Sequence, residues 1–80
     1  MKGRPPEITD EDILLVFKES SDPVLSAPEV ADEFGYTTAG IYKRLRELSE
    51  KGDLDTKKIG QGRAWWITEK GRESLSKSDL

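Results

Sequence analysis

Three times in the first half of the chain, an apolar side chain stands directly before a Ser or Thr, and a second apolar side chain follows five positions after the first. The three cases are Ile8-Thr9-Ile13, Leu25-Ser26-Val30 and Tyr36-Thr37-Ile41. This is the pattern of a helix start: the hydroxyl caps the first turn, and the apolar pair closes over it as a hydrophobic staple. The first start puts Asp10, Glu11 and Asp12 in the opening turn, where the helix dipole favours negative charge. Ile13, Leu14, Val16 and Phe17 then form the apolar stripe, and the turn sequence SSDP stops the helix near Ser20. The second start has Ser26 and Glu29 at capping-box spacing, Pro28 in the first turn, Val30, Ala31 and Phe34 toward the core, and Gly35 at the end. That helix is about two turns long and needs tertiary packing to exist. The third start, capped by Thr37, repeats Ile41, Leu45 and Leu48 at i, i+4 and i+7 and ends at Gly52 after Lys51.

Beyond Gly52 the period changes from helical to alternating. LDTKKI (54–59) and RAWWI (63–67) flank GQG, a three-residue glycine-containing connection that predicts a β-hairpin. Alternation sets Trp65 and Ile67 on one face and Ala64 and Trp66 on the other. Thr68 caps a final short helix, EKGRESL, whose Leu75 returns to the core. A very short strand near Val24–Leu25 is placed to pair with the hairpin. The fold class is mainly α with a small β-hairpin (α+β), in the order helix-helix-helix-strand-strand-helix. Residues 1–7 read as a flexible arm carrying Lys2 and Arg4, residues 8–76 as one domain, and residues 77–80 as a frayed end.

Composition narrows the function classes. Eighty residues, 34% of them apolar, make one small domain with a lean core. There is no cysteine and no histidine. Disulfides, the usual zinc sites, the commonest general base and the thiol nucleophile are therefore absent. A domain this small also offers little room for a deep substrate pocket. The expectation is a protein that is not an enzyme, with no metal, no cofactor and no small-molecule ligand. Without a long apolar stretch or a signal-peptide pattern, it is expected in the cytoplasm with no membrane partner.

Net charge is -3 and the pI about 4.9, the opposite of a typical nucleic-acid binder. The distribution changes that picture. Residues 7–34 carry nine acids and one base, whereas residues 35–65 carry seven bases and four acids. One half is an acidic body and the other a basic face.

The run LSAPEVADEFGYTTAGIYKRLRELSEKGDL, followed by the hairpin and ITEKGRESL, resembles a winged helix-turn-helix DNA-binding domain. The resemblance is to bacterial and archaeal transcription regulators such as the multiple-antibiotic-resistance, PadR and arsenic-repressor groups. It covers residues 8 to 76. Ala31 falls where the first motif helix needs a small residue, Gly35 in the turn, and Ile41 in the recognition helix. Leu45 and Leu48 match the paired core leucines, EKG (50–52) the helix end, and ITEKG (67–71) the start of the helix after the wing. Asp53 departs from the pattern, standing where an apolar residue is usual.

The resemblance implies double-stranded DNA as partner and transcription regulation as role. The third helix would enter the major groove and the hairpin would lie along the backbone. Thr37, Thr38, Ala39 and Gly40 are then small residues at a helix start that lets the backbone approach DNA closely, with free N–H groups and the positive dipole end favouring phosphate. Lys43 and Arg46, on the face opposite Ile41, Leu45 and Leu48, are candidates for phosphate or guanine, and Tyr42 for a phosphate. Arg44 lies nearer the buried side and is expected to pair with an acid of the body. On the wing the candidates are Lys57, Lys58, Gln61 and Arg63. Plainer readings stand beside these: a solvated helix face with Lys43–Glu47 and Arg46–Glu50 pairs, and a hairpin edge protected by lysines. The alternative function is a protein–protein interaction winged-helix module without DNA binding, whose acidic half would dock a basic partner. A homodimer is left open. Trp65 is expected in the core, and Trp66 either covers the outer face of the sheet or marks a dimer or partner surface.

Overall fold

All three helix starts form as capped helices. The computed structural model describes residues 8–78, so the expected arm at 1–7 and the last two residues lie outside it. The elements are α1 (Asp10–Glu19), α2 (Ala27–Phe34), α3 (Thr38–Lys51), β1 (Leu54–Ile59), β2 (Gly62–Ile67) and α4 (Glu69–Ser78). Thr9 Oγ1 accepts from the Asp12 N–H at 3.1 Å, and the Asp12 carboxylate accepts from the Thr9 N–H at 2.9 Å. Ser26 and Glu29 make the same reciprocal pair. Thr37 Oγ1 accepts from the Gly40 N–H at 3.1 Å. A cap of this kind stabilises a helix by about 1 kcal/mol. At the other end, α2 and α3 stop on Gly35 and Gly52, with φ of 70° and 91°. The next N–H in each case reaches back five residues, Tyr36 to the Ala31 carbonyl and Asp53 to that of Leu48, both at 3.0 Å, and satisfies an orphan acceptor.

One core gathers the apolar stripes. Ile13, Leu14 and Phe17 come from α1, Val30 and Ala31 from α2, and Ile41, Leu45 and Leu48 from α3. Leu54, Trp65 and Ile67 close it from the hairpin and Leu75 from α4. Phe34, expected inside, sits partly buried at its edge. Helix α2 packs on α3, α1 on α4, and β1 against α3.

The hairpin is antiparallel, with Leu54 opposite Ile67, Thr56 opposite Trp65, Lys58 opposite Arg63 and Ile59 opposite Gly62. The connection is therefore two residues, Gly60-Gln61, and not the three of GQG. Of the two glycines of GQG, Gly60 takes a positive φ, 58°, at the first turn position, where the tight hairpin turns require it. Gly62 is extended and belongs to β2. The short strand expected before α2 is reduced to a single bridge, in which Leu25 and Trp65 exchange both N–H···O bonds at 2.9 Å.

Asp53 is buried, and its main chain ties α3 to α4. Its carbonyl accepts from the Thr68 N–H at 3.1 Å and from the Thr68 hydroxyl, which also reaches the Gly52 carbonyl at 2.6 Å. Thr68 Oγ1 in turn accepts from the Gly71 N–H, the expected cap of the last helix. The Asp53 carboxylate accepts from the Ser74 hydroxyl at 3.3 Å.

Candidate nucleic-acid interface

The exposed face of α3 lies opposite its buried stripe. Thr38, Ala39, Gly40, Lys43 and Arg46 are all exposed along it. Thr37, just ahead of them, is also exposed, but its oxygen is occupied by the cap, which leaves its O–H to donate outward. Gly40 has a local reason to lack a side chain: a Cβ there would sit 3.1 Å from Thr37 Oγ1 and crowd the cap. Arg46 lies 3.8 Å from Glu50, with both side chains largely exposed at 60% and 70%. A pair that long and wet contributes almost nothing and does not immobilise Arg46. Lys43 makes no ion pair among the described residues.

Strand register sorts the hairpin cations by face. Side chains directly opposite one another share a face, and successive ones alternate. Lys58 and Arg63 are therefore on the inner face with Thr56 and Trp65, whereas Lys57 is on the outer face with Asp55 and Ile59. Lys58 and Arg63 are a directly opposed like-charge pair, and no carboxylate pairs with either among the described residues. Like charges in that position destabilise a sheet by about 0.2–1 kcal/mol. Arg63 Nη1 makes only a long 3.5 Å contact to Thr56 Oγ1.

Between the hairpin and the helices runs an open groove of about 580 Å³. Its walls are Ser26, Ala27 and Pro28 at the start of α2, Tyr42 of α3, and Lys58, Gln61, Gly62, Arg63 and Trp65 of the hairpin. The Tyr42 ring stands edge-on to Trp65, with centroids 5.8 Å apart and planes at 84°. Trp65 is buried, and its indole N–H meets no acceptor among the described residues. No carboxylate lines the groove, and the nearby Glu29 is turned back onto the Ser26 N–H at 2.8 Å.

No protein-family profile and no curated protein matches the sequence. Solved structures do match the architecture. A MarR family transcriptional regulator from Streptomyces coelicolor superposes with a TM-score of 0.78 at 17% identity, over 88% of this chain and 49% of its own. The transcriptional regulator BldR from Sulfolobus solfataricus gives 0.74 at 23% identity, over 88% and 50%. ZitR from Lactococcus lactis, solved in complex with DNA, gives 0.74 at 19% identity, over 96% and 56%. The fold is a winged helix-turn-helix. Helices α2 and α3 are its two motif helices and the hairpin its wing, as the resemblance in the sequence implied. The chain spans about half the length of these regulators.

On this winged helix the sequence-predicted residues separate into three groups. Thr37, Thr38, Ala39, Gly40, Lys43 and Arg46 line the exposed side of the second motif helix. Tyr42, Lys58, Gln61 and Arg63 converge on the groove beside it. Lys57 is turned away from both. Two further cations of the basic half, Arg44 and Lys51, are used internally. Arg44 donates to the Asp10 carboxylate at 2.9 Å and to the Ile8 carbonyl at 3.1 Å, the pairing with the acidic body that was expected. Lys51 reaches the other Asp10 oxygen at 2.8 Å. The Lys51 ammonium and then the Arg44 guanidinium hold the Asp10 carboxyl below its ordinary value, and the bond to Asp10 raises Lys51. This clamp joins the start of α1 to α3, the second motif helix.

Sequence reasoning missed the first turn of α2 as part of this surface. The capping box located where α2 begins, but only the Leu25–Trp65 bridge brings that turn beside the wing. Among the described residues there is no acidic cluster able to hold a metal, and no helix is long and apolar enough to cross a membrane.

Proposed function

We propose that this winged helix binds double-stranded DNA and regulates transcription, with α3 in the major groove and the wing along the backbone. The observation that carries the reading is the groove. It joins the wing cations Lys58 and Arg63 to Tyr42 and the first turn of α2 with no carboxylate between them. An unrelieved Lys58–Arg63 pair is a local cost that an anionic partner removes, which fits a surface built for phosphate. Lys43 and Arg46 extend the same sign along α3, and the positive end of the helix dipole lies at Thr38. The ZitR structure, a neighbour of the same fold solved in complex with DNA, supports the assignment.

Specificity comes from Thr38 to Lys43 against base edges, and general affinity from Arg46, Lys58 and Arg63 against phosphate. Arg44 and Lys51 position the helix and touch no DNA. Thr37 caps it and donates its hydroxyl to a backbone phosphate.

A second reading rests on the exposed acids Glu29, Asp32 and Glu33 of α2, which would repel a duplex laid across that helix and suit a basic protein partner. NMR titration of the labelled chain with duplex DNA, at low and then raised salt, separates the two. DNA binding gives salt-sensitive shifts within Thr37–Arg46 and Lys58–Arg63. An absence of shifts there with a pool of random duplexes at low salt rejects it in favour of the protein-interaction module.

A further inference from the structure

A helix in the major groove reads bases with a short menu of side chains. Arg or Lys suits guanine, Asn or Gln adenine, Asp or Glu cytosine, and an apolar group the methyl of thymine. The first two turns of α3, residues 38–44, contain no Asn, Gln, Asp or Glu, and carboxylates begin only at Glu47. Their one Arg, Arg44, is held by the Asp10 carboxylate and the Ile8 carbonyl. With Ile41, Leu45 and Leu48 turned inward, the outward line of these turns carries Lys43 and, four residues earlier, Ala39. Both are exposed.

Ala39 is the group nearest the helix start on that line, and its neighbours leave it uncovered. Gly40 has no side chain, and Thr38 is short and lies off the line, since successive helical residues are about 100° apart. The Gly40 N–H is bonded to Thr37 Oγ1 at 3.1 Å, which closes the first turn and fixes the direction of the Ala39 Cβ. A methyl group neither donates nor accepts a hydrogen bond, so the feature it matches on a base edge is apolar. On the major-groove edges of the four ordinary bases, that feature is the C5-methyl of thymine. We propose that Ala39 reads the 5-methyl group of a pyrimidine, so that the site this chain recognises carries a thymine beneath Ala39. The inference rests on the DNA-binding reading above and adds the base feature to it. 5-Methylcytosine presents the same methyl at the same place in the groove and is recognised in the same way.

The test starts from a duplex that the full 80-residue chain selects out of a random library. Fluorescence anisotropy then follows affinity as each thymine in turn is replaced by deoxyuridine, which removes the methyl and keeps the base pair. The expected result is a loss of about fourfold at one thymine per bound chain, the transfer value of one methyl group, and smaller changes elsewhere. At that position a 5-methylcytosine·guanine pair binds about fourfold better than cytosine·guanine. Ala39→Gly abolishes both differences, whereas Lys58→Glu lowers affinity and keeps them. Far-UV circular dichroism checks that each variant is folded; if Ala39→Gly is not, the two methyl comparisons on the parent chain decide. Binding that no thymine methyl affects overturns the proposal and leaves DNA binding standing. So does a 5-methylcytosine pair without gain, or a methyl dependence that persists in Ala39→Gly. An absence of salt-sensitive binding to any duplex rejects the DNA reading, and this inference with it.

Discussion

Gly71 has no room for a Cβ. One built there overlaps the Asp53 carbonyl oxygen and comes within 2.8 Å of Ile67 Cγ1. On helix propensity alone, Gly71→Ala in the first turn of α4 would stabilise, by up to the about 1 kcal/mol of a helix interior. The overlap is with backbone that is also held by Thr68, so it cannot be relieved by a rotamer change. Gly71→Ala is therefore expected to destabilise by about 2 kcal/mol or more, measured by urea unfolding. Asp10 gives a second prediction at this scale. Its carboxyl titrates below its unfolded value because Lys51 and Arg44 bond it, so its contribution is present above about pH 4 and fades as pH falls through the depressed value. Asp10→Asn is expected to flatten the acid limb of a stability–pH curve. Lys51 acts with the opposite sign: its raised pKa stabilises at ordinary pH, and that contribution disappears as pH rises past the raised value, above 10.5. Both side chains are about half exposed, so each effect is modest.

The hairpin and the caps are decided by local rules, and the wing breaks one of them. Lys58 opposite Arg63 is a pair that a sheet selected only for stability would not keep. Lys58→Glu turns it into an opposite-charge pair. The variant is expected to be as stable as the parent or up to about 1 kcal/mol more stable in thermal unfolding. Its affinity for duplex DNA is expected to fall about tenfold or more in a fluorescence anisotropy titration. A purely protective lysine would show neither this opposition of stability and binding nor any change in binding at all. Lys57, on the other face, is the internal control: Lys57→Glu is expected to change DNA affinity far less.

At the scale of the whole molecule, the proposed function has an acidic protein bind a polyanion. The charge separation along the chain becomes a separation in space because the fold withdraws part of each sign. Arg44 and Lys51 neutralise Asp10 at the junction of α1 and α3. On the proposed reading, what remains for phosphate is Lys43, Arg46, Lys58 and Arg63. Four neutralised phosphates predict a slope of about -3.6 for log affinity against log salt. Anisotropy titrations across a salt series check this, and a slope near zero would show that the basic face is not a phosphate surface.

The helices, their caps, the glycine stops and the core stripe were legible in the sequence because each is set by contacts within five residues. Ile41, Leu45 and Leu48 are buried as their spacing requires, and Thr9, Ser26 and Thr37 cap as their neighbours imply. The turn length was misread because Gly60 and Gly62 look alike in sequence, and only strand pairing shows which one takes the positive φ. Which cations work together was equally hidden. Lys57 and Lys58 are adjacent in sequence and on opposite faces of the sheet, whereas Lys58 joins Tyr42 and Pro28 across more than a dozen residues of chain. Local order follows from side-chain spacing and hydrogen bonds between near neighbours. The composition of a surface depends on long-range pairing and register, which only the packed molecule decides.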